Sequence, residues 1–516
     1  MPAVVEIPGR APLTTFEAAV QEEFNVLRRI PHVPAVKALT EQLWQDRESV
    51  EALTRLHLGL RKQDACTVLD RRQWIRGAFN ICVLLEVAEP WGESRKVMFR
   101  CGMPHKLAEP QYPGTVDEKT SCEAGAYVWM QEKCPDVRIP HLYGFGFSNE
   151  RHYTHVHQKS FLRRLVHGFW RCVYGLLGYP LLSQYTPTTT QHTAPAAYMV
   201  MEYITPSIGR TLATTWEKHR KSPGMRRNLF SGMASIMLSL ARIPQPRIGS
   251  FQFHHDGTIS LTNRPFFCST AILENDGAPR TIEPSHTYTC TEPFVSDAIT
   301  FHDQRFLHDP NAAESEPDCR AQMTVKTLLR AFSHRYISRE HRQGPFLLQL
   351  TDLHASNIFV DDDWNVTCLI DLEWMCALPP EALDVPYWLT SRGIDEIEDE
   401  AYEEFSKVRE EFMDALREQE VENGLWEKGP GQGHDLSVPQ IMQKSWESKG
   451  TWFWHCVTSV NAMYVLLESH LCRPGSLPRA AEKVISQFYC EDPDGLVKRK
   501  MEDKKAYNAQ LKLAFA

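Results

Sequence analysis

One stretch constrains this chain more than any other. It runs Leu350-Thr351-Asp352-Leu353-His354-Ala355-Ser356-Asn357-Ile358-Phe359-Val360 and continues, after a turn, to Leu369-Ile370-Asp371-Leu372-Glu373. An Asp is followed five residues later by an amide, and a second Asp comes fourteen residues after that. The first pair brackets a short loop. The second Asp follows the apolar, strand-like run Val366-Thr367-Cys368-Leu369-Ile370. Moving a phosphoryl group from a nucleotide asks for metal ions on the phosphates and a carboxylate aimed at the accepting hydroxyl. Asp352 suits the proton-accepting role. Asn357 and Asp371 offer hard oxygen ligands of the kind Mg²⁺ takes.

The chain has 516 residues, 42% of them hydrophobic, enough for a sizeable core and for two or three domains or one bilobal enzyme with insertions. Its net charge of −9 argues against a general nucleic-acid binder, which needs a basic face. Fourteen cysteines are scattered without a CxxC pair. The first ten residues contain no apolar signal core, so reduced thiols and a cytoplasmic location are expected. No uncharged apolar stretch of about 18 residues occurs, so a spanning helix is not expected. Residues 161–185 come nearest, with Phe169, Trp170, Leu176 and Leu177 interrupted by Arg163, Arg164, His167 and Arg171. They read as a helix packed on the body; peripheral contact with a membrane surface is the other reading. His152, His155 and His157 read as a solvated loop sooner than a metal site.

Along the chain, residues 1–65 form a helical extension, with one helical pattern over 35–60. Residues 66–204 are β-rich, with strands expected at 79–88, 96–101 and 197–204, a helix at 118–133, and an insertion at about 148–195 ending in a threonine-rich loop. Residues 205–516 are mainly helical, at 210–219, 225–243, 321–337, 395–420 and 441–469, with a hairpin around Asp256-Gly257 and a flexible joint at Gly429-Pro430-Gly431-Gln432-Gly433. Met225, Leu229, Met233, Ile236 and Leu240 recur at helical spacing and read as core.

From Trp74 to Pro474 the sequence resembles the fungal-type aminoglycoside phosphotransferase family of the protein-kinase-like superfamily. Besides the Asp352 and Asp371 motifs, Gly77-Ala78-Phe79-Asn80 resembles the turn over a nucleotide. Val97-Met98-Phe99-Arg100 resembles the third strand that carries a phosphate-contacting cation, and Glu123 resembles its helix partner. Met199-Val200-Met201-Glu202-Tyr203-Ile204 resembles the hinge. Asn263-Arg264-Pro265 and Pro386-Tyr387-Trp388-Leu389-Thr390 resemble further landmarks. The resemblance implies an α+β, bilobal kinase-like fold with a β-rich N-terminal lobe and a larger helical C-terminal lobe. It implies ATP and Mg²⁺ in the cleft, and a small-molecule hydroxyl as acceptor. Asp352 would be catalytic, and Asn357 and Asp371 would be metal ligands. Gly77, Arg100, Glu123, Glu202 and Tyr203 would contact the nucleotide. Three departures stand out. Leu350 replaces the usual His, Arg100 replaces the usual Lys, and Gly77 is the only glycine of its loop. They motivate a second reading, a nucleotide-binding pseudokinase or scaffold.

Each residue has a plainer role to set beside this one. Asp352 could cap a turn, and Asn357 could stabilise its own backbone. Asp371 ends an apolar strand, where an unpaired buried charge is costly, which favours a metal. Alternation puts Met98 and Arg100 on one face of their strand, so Arg100 faces the cleft if Met98 does. Lys96 and Lys106 are substitute cations. Glu118 and Glu132 share a helix with Glu123, and Glu373 reads equally as a site or a surface acid. The acidic run 395–404 suits a cationic acceptor or a solvated face.

Overall fold

The computed structural model describes residues 4–5, 14–88, 94–422, 436–472 and 477–516. The flexible joint expected at 429–433 lies outside them, as does most of the N-terminal decapeptide. The architecture is mixed α/β. Its largest sheet is antiparallel throughout. The strands run in the order Tyr185–Thr188, His152–His155, Leu142–Gly146, Tyr198–Glu202, Arg95–Gly102, Asn80–Ala88 and Ala65–Val68, with Ile75–Arg76 also pairing Asn80–Ala88. The strand Asn80–Ala88 is buried along most of its length, as its nearly continuous apolar run dictates for a central strand.

Helices His32–Gln45 and Arg47–Leu58 contribute Leu39, Leu43, Val50 and Leu53 to an apolar core with Val83, Leu85 and Phe99 of the sheet. The single helix expected over 35–60 is thus two, broken at Asp46, whose backbone leaves the helical region. The first helices also meet the end of the chain. Ala19 and Val26 pack with Tyr507 and Leu511 of the final helix Pro493–Ala514 and with Phe515, which caps it.

The helix Thr115–Lys133 is buried over most of its length and lies against the hairpin Ser250–Phe253/Thr258–Asn263. Gly257 turns that hairpin at φ +84°, as the Asp-Gly pair predicts. Helix Pro223–Ala241 buries Leu229, Met233, Ile236 and Leu240, the expected core stripe, with Met225 partly covered. Helix Asp399–Glu422 follows its periodic segment closely, while Glu316–Phe332 begins and ends five residues before the expected 321–337.

Several expectations fail where tertiary contacts override local pattern. Residues 210–219 are a strand end, a 3₁₀ turn and a four-residue helix, because Arg210 and Thr211 pair with Val360 and Phe359. The span 441–469 is broken at Lys449, which has φ +66°, and again after Thr458. The threonine-rich segment is a strand in its first part, since Tyr185–Thr188 pairs with His152–His155, and is loop only at Thr189 and Thr190. Two of the three histidines are not in a solvated loop either, while His157 is exposed on the 3₁₀ turn that follows. His152 and His155 are buried in that strand, and His152 Nδ1 lies 2.9 Å from the Tyr198 hydroxyl.

The largest departure is the helix Phe161–Leu177. It does not pack its apolar face on the body, and none of its residues is buried. Phe161, Leu162, Leu165, Val166, Phe169, Leu176 and Leu177 are exposed.

Candidate active site

Strand Leu347–Leu350 pairs with Met375–Leu378, and the short hairpin Ile358–Val360/Val366–Leu369 stands between them in sequence. The two turns that leave these strands carry Asp352 and Asp371. Asp352, Asn357 and Asp371 line one small cleft together with Leu353, Ile370 and Trp374. The structure therefore brings the three motif residues together.

The loop is fixed without the missing His. Leu350 is a strand residue opposite Met375. The Thr351 hydroxyl donates to the Trp374 carbonyl at 2.7 Å, and the Trp388 indole donates to the Leu353 carbonyl at 2.6 Å. Asn357 Nδ2 donates to the Asp352 carbonyl at 3.0 Å, and the Asn357 carbonyl accepts from the Ile370 N–H at 2.9 Å. His354 caps the 3₁₀ turn by accepting from the Ser356 N–H. Asp371 sits at φ +64°, a left-handed backbone that a non-glycine residue adopts at some cost and that recurs at functional sites.

Arg100 reaches this cleft from the sheet, on the strand position opposite Cys82 and Met199. It is buried and forms ion pairs with Glu123, with Asp371 Oδ1 at 2.7 Å and with Glu373 Oε2 at 2.7 Å. Met98 is half-buried two residues before it. Neither Lys96 nor Lys106 supplies the second cation. That is Lys119, which ion-pairs with Glu373, accepts nothing, and donates to Asn80 Oδ1 at 2.9 Å. Asn80 in turn donates to Glu373 at 2.9 Å. Glu373 is therefore an interior acid and not a surface one. Lys119 lies four residues before Glu123 on the same helix, a spacing that puts both on one face. That spacing was the signal available for it.

The electrostatics follow from burial. Three carboxylates, Glu123, Asp371 and Glu373, have oxygens within 4.8 Å of one another. Two cations, Arg100 and Lys119, face them. Burial pushes the Glu373 carboxyl up, but Lys119 and Arg100 more than offset this and hold it below its usual range. Burial raises Asp371, and Glu373 adds to the rise against the opposing pull of Arg100. Asp352 is pushed up to about 7, first by burial and then by the charges of Asp371 and Glu373. The Cys268 thiol is a hydrogen-bonding neighbour of the Asp352 carboxyl.

These residues fit a divalent cation. The acids outnumber the bases, leaving a surplus of negative charge. Asn357 uses its Nδ2 on the loop, so its side-chain Oδ1 remains for a ligand. Asp371 engages Arg100 through one oxygen, so the other remains too.

The remaining expected residues sit apart from the cleft. Gly77 occupies an exposed turn and its N–H donates to the Asn80 carbonyl at 3.0 Å, which ties the turn to the charge cluster through Asn80. The Glu202 carboxylate accepts from Arg138 at 2.8 Å and from the His141 N–H at 3.0 Å, and Tyr203 lies 5.9 Å from Lys96. Neither Glu202 nor Tyr203 lines the cleft. The Arg138 carbonyl, however, accepts from the Leu369 N–H, so the expected hinge abuts the strand that leads to Asp371. Glu118 and Glu132 have other partners: Arg264 at 2.7 Å and Arg171 at 2.6 Å.

No family model matches the chain, and neither does any curated protein. Among solved structures, an ethanolamine kinase of Plasmodium vivax is similar over 84% of this chain and 85% of its own, at 11% identity and a TM-score of 0.35. The likeness to the aminoglycoside phosphotransferase family rests on the motifs alone.

Proposed function

We propose that this chain is an ATP-dependent phosphotransferase that moves the γ-phosphoryl group to a hydroxyl of a small molecule. The observation that carries the reading is the convergence of Asp352, Asn357 and Asp371 on one cleft, with Arg100 reaching Asp371 from the sheet. On this reading the sheet side and the helical side act as two lobes around the nucleotide.

Asp352, held by Asn357 and flanked by Cys268, accepts the acceptor hydroxyl's proton as the phosphoryl group passes in line. Its raised pKa suits that role, because a base works best when its pKa lies near the working pH. Asn357 and Asp371 would hold Mg²⁺, whose chemistry is to neutralise phosphate charge. Arg100 adds fixed positive charge beside them, and Glu123 and Glu373 fix its orientation by ion pairing. Lys119 and Asn80 hold Glu373 in turn.

The experiment is a phosphoryl-transfer assay of the purified protein with Mg²⁺-ATP and a panel of alcohols, sugars and amino alcohols. Asp352→Ala is expected to lose about 10²- to 10⁴-fold in rate, the usual contribution of a positioned base. Equal transfer by the variant would remove Asp352 from the mechanism.

Two observations favour a second reading, a pseudokinase. Arg100 spends one of its nitrogens on Asp371, the acid a metal would need, and the Gly77 turn offers a single glycine. On that reading ATP raises the thermal stability of the protein in a Mg²⁺-dependent way and no acceptor turns over. Turnover that vanishes in Asp371→Asn would exclude it.

A further inference from the structure

The helix Phe161–Leu177 is mounted the wrong way round for a helix of a globular body. At about 100° per residue its side chains divide into two arcs. Phe161, Leu162, Leu165, Val166, Phe169, Trp170, Val173, Leu176 and Leu177 share one half of the circumference. Arg163, Arg164, His167, Arg171 and the two glycines occupy the other. An amphipathic helix normally turns its apolar arc inward. Here the polar arc is docked. His167 Nε2 lies 2.7 Å from the Ser183 carbonyl, Arg171 Nε donates to the Leu182 carbonyl at 2.9 Å, and Arg171 pairs with Glu132 at 2.6 Å. The apolar arc points away from the protein, with Leu162 73%, Phe169 62% and Leu176 86% exposed.

We infer that this helix binds the surface of an anionic lipid bilayer, lying in the interface with its apolar arc in the acyl boundary. Three further observations select lipid as the occupant. From Lys159 to Leu182 there is no acidic residue but there are one lysine and three arginines, in a chain whose net charge is −9. Arg163 and Arg164, both exposed, flank the apolar arc on either side, where they would meet headgroup phosphates. Trp170, Tyr174 and Tyr179 lie at the margin of the arc and beyond its C-terminal end, the depth at which amphipathic rings settle in a bilayer. A second copy of the chain seated on this arc would bring arginines together with no acid on the segment to receive them. No helix among the described residues is long and apolar enough to cross a membrane, so the contact is peripheral.

Sedimentation of the full chain with vesicles tests this, using phosphatidylcholine alone and phosphatidylcholine mixed with phosphatidylserine. The protein is expected to sediment with the mixed vesicles, less with the neutral ones, and less again at high salt. Leu165→Glu with Phe169→Glu should weaken binding by about ten-fold or more, because each substitution removes a large apolar side chain from the interface. Arg163→Glu with Arg164→Glu should abolish the preference for phosphatidylserine. Both double variants replace exposed side chains, so their thermal unfolding should match that of the parent. Failure to sediment with either vesicle overturns the inference, as does unchanged binding by the double variants. So does a dimer, seen by light scattering, that the Leu165/Phe169 variant dissolves while vesicle binding is absent. None of these outcomes bears on phosphoryl transfer, which is read separately at Asp352.

Discussion

Asp352 is the residue whose protonation the fold changes most usefully. Its carboxyl titrates at about 7 in the folded protein and near 4 in an unfolded chain. The folded state therefore holds the proton more tightly. That preference stabilises the protein below pH 4 and is lost as pH rises through about 7. Asn mimics the protonated form. The difference in Tm between Asp352→Asn and the parent, measured without divalent ions, should grow in favour of the variant between about pH 4 and pH 7. A constant difference would mean that burial and the Asp371 and Glu373 charges do not act on Asp352. Arg100 carries the opposite lesson. It is the shared partner of Glu123, Asp371 and Glu373, so Arg100→Met would leave buried acids with Lys119 alone. Denaturant unfolding should show a loss of about 3–5 kcal/mol, the scale of a broken buried pair. Arg100→Lys should lose less, although a point charge cannot reach three acids as a guanidinium does. The sequence marked Arg100 and Glu123 through the family likeness. It named Asn80 only as the end of a turn and left Lys119 unmarked, because a spacing of four from Glu123 belongs equally to a solvated pair.

At the scale of elements, the site depends on how closely the helix Thr115–Lys133 approaches the hairpin behind it. A Cβ added at Gly125 would stand 2.7 Å from Phe251 Cβ and 3.4 Å from its backbone carbon. Alanine gains about 1 kcal/mol of helix propensity over glycine. Overpacking a tight contact costs about 1–3 kcal/mol. The clash involves a Cβ and backbone that cannot swing aside, so it should win. Gly125→Ala is expected to lower stability in a denaturant titration, and a gain would show that the two elements can separate at little cost. Strand assignments in the central sheet were legible because β-branched apolar runs have few alternatives. The helix breaks at Asp46 and Lys449 were not, since both lie inside patterns that continue the helical period. The Tyr185–Thr188 strand was hidden for the converse reason: its threonines and proline look like a loop until His152–His155 supplies a partner.

Across the whole molecule, residues 16–30 are joined to the final helix. The Tyr507 hydroxyl accepts from the Val26 N–H at 3.0 Å, and Lys500 and Lys504 bond the Asp309 carbonyl and Asn311 Oδ1 at 2.6 and 2.8 Å. Residues 16–60 are therefore packed in part against the last helix and in part against the sheet. Tyr507→Phe leaves a buried N–H without a partner and should cost about 1–3 kcal/mol in an unfolding titration. No change would mean that the terminal helices pack without that bond.

The order Asp352, Asn357, Asp371 was written in the chain, because a loop between two short strands brings residues at that spacing to one spot whatever surrounds it. Binary pattern likewise announced the central strands and the mixed apolar and basic character of residues 161–185. Only the tertiary structure decided which way that helix faces, since an amphipathic pattern fixes that two faces differ and not which one meets the body. It also decided that Glu373 is interior and that Arg100 bridges three acids. Those are distances between segments far apart in sequence, set by packing and by the cost of leaving buried charge unpaired.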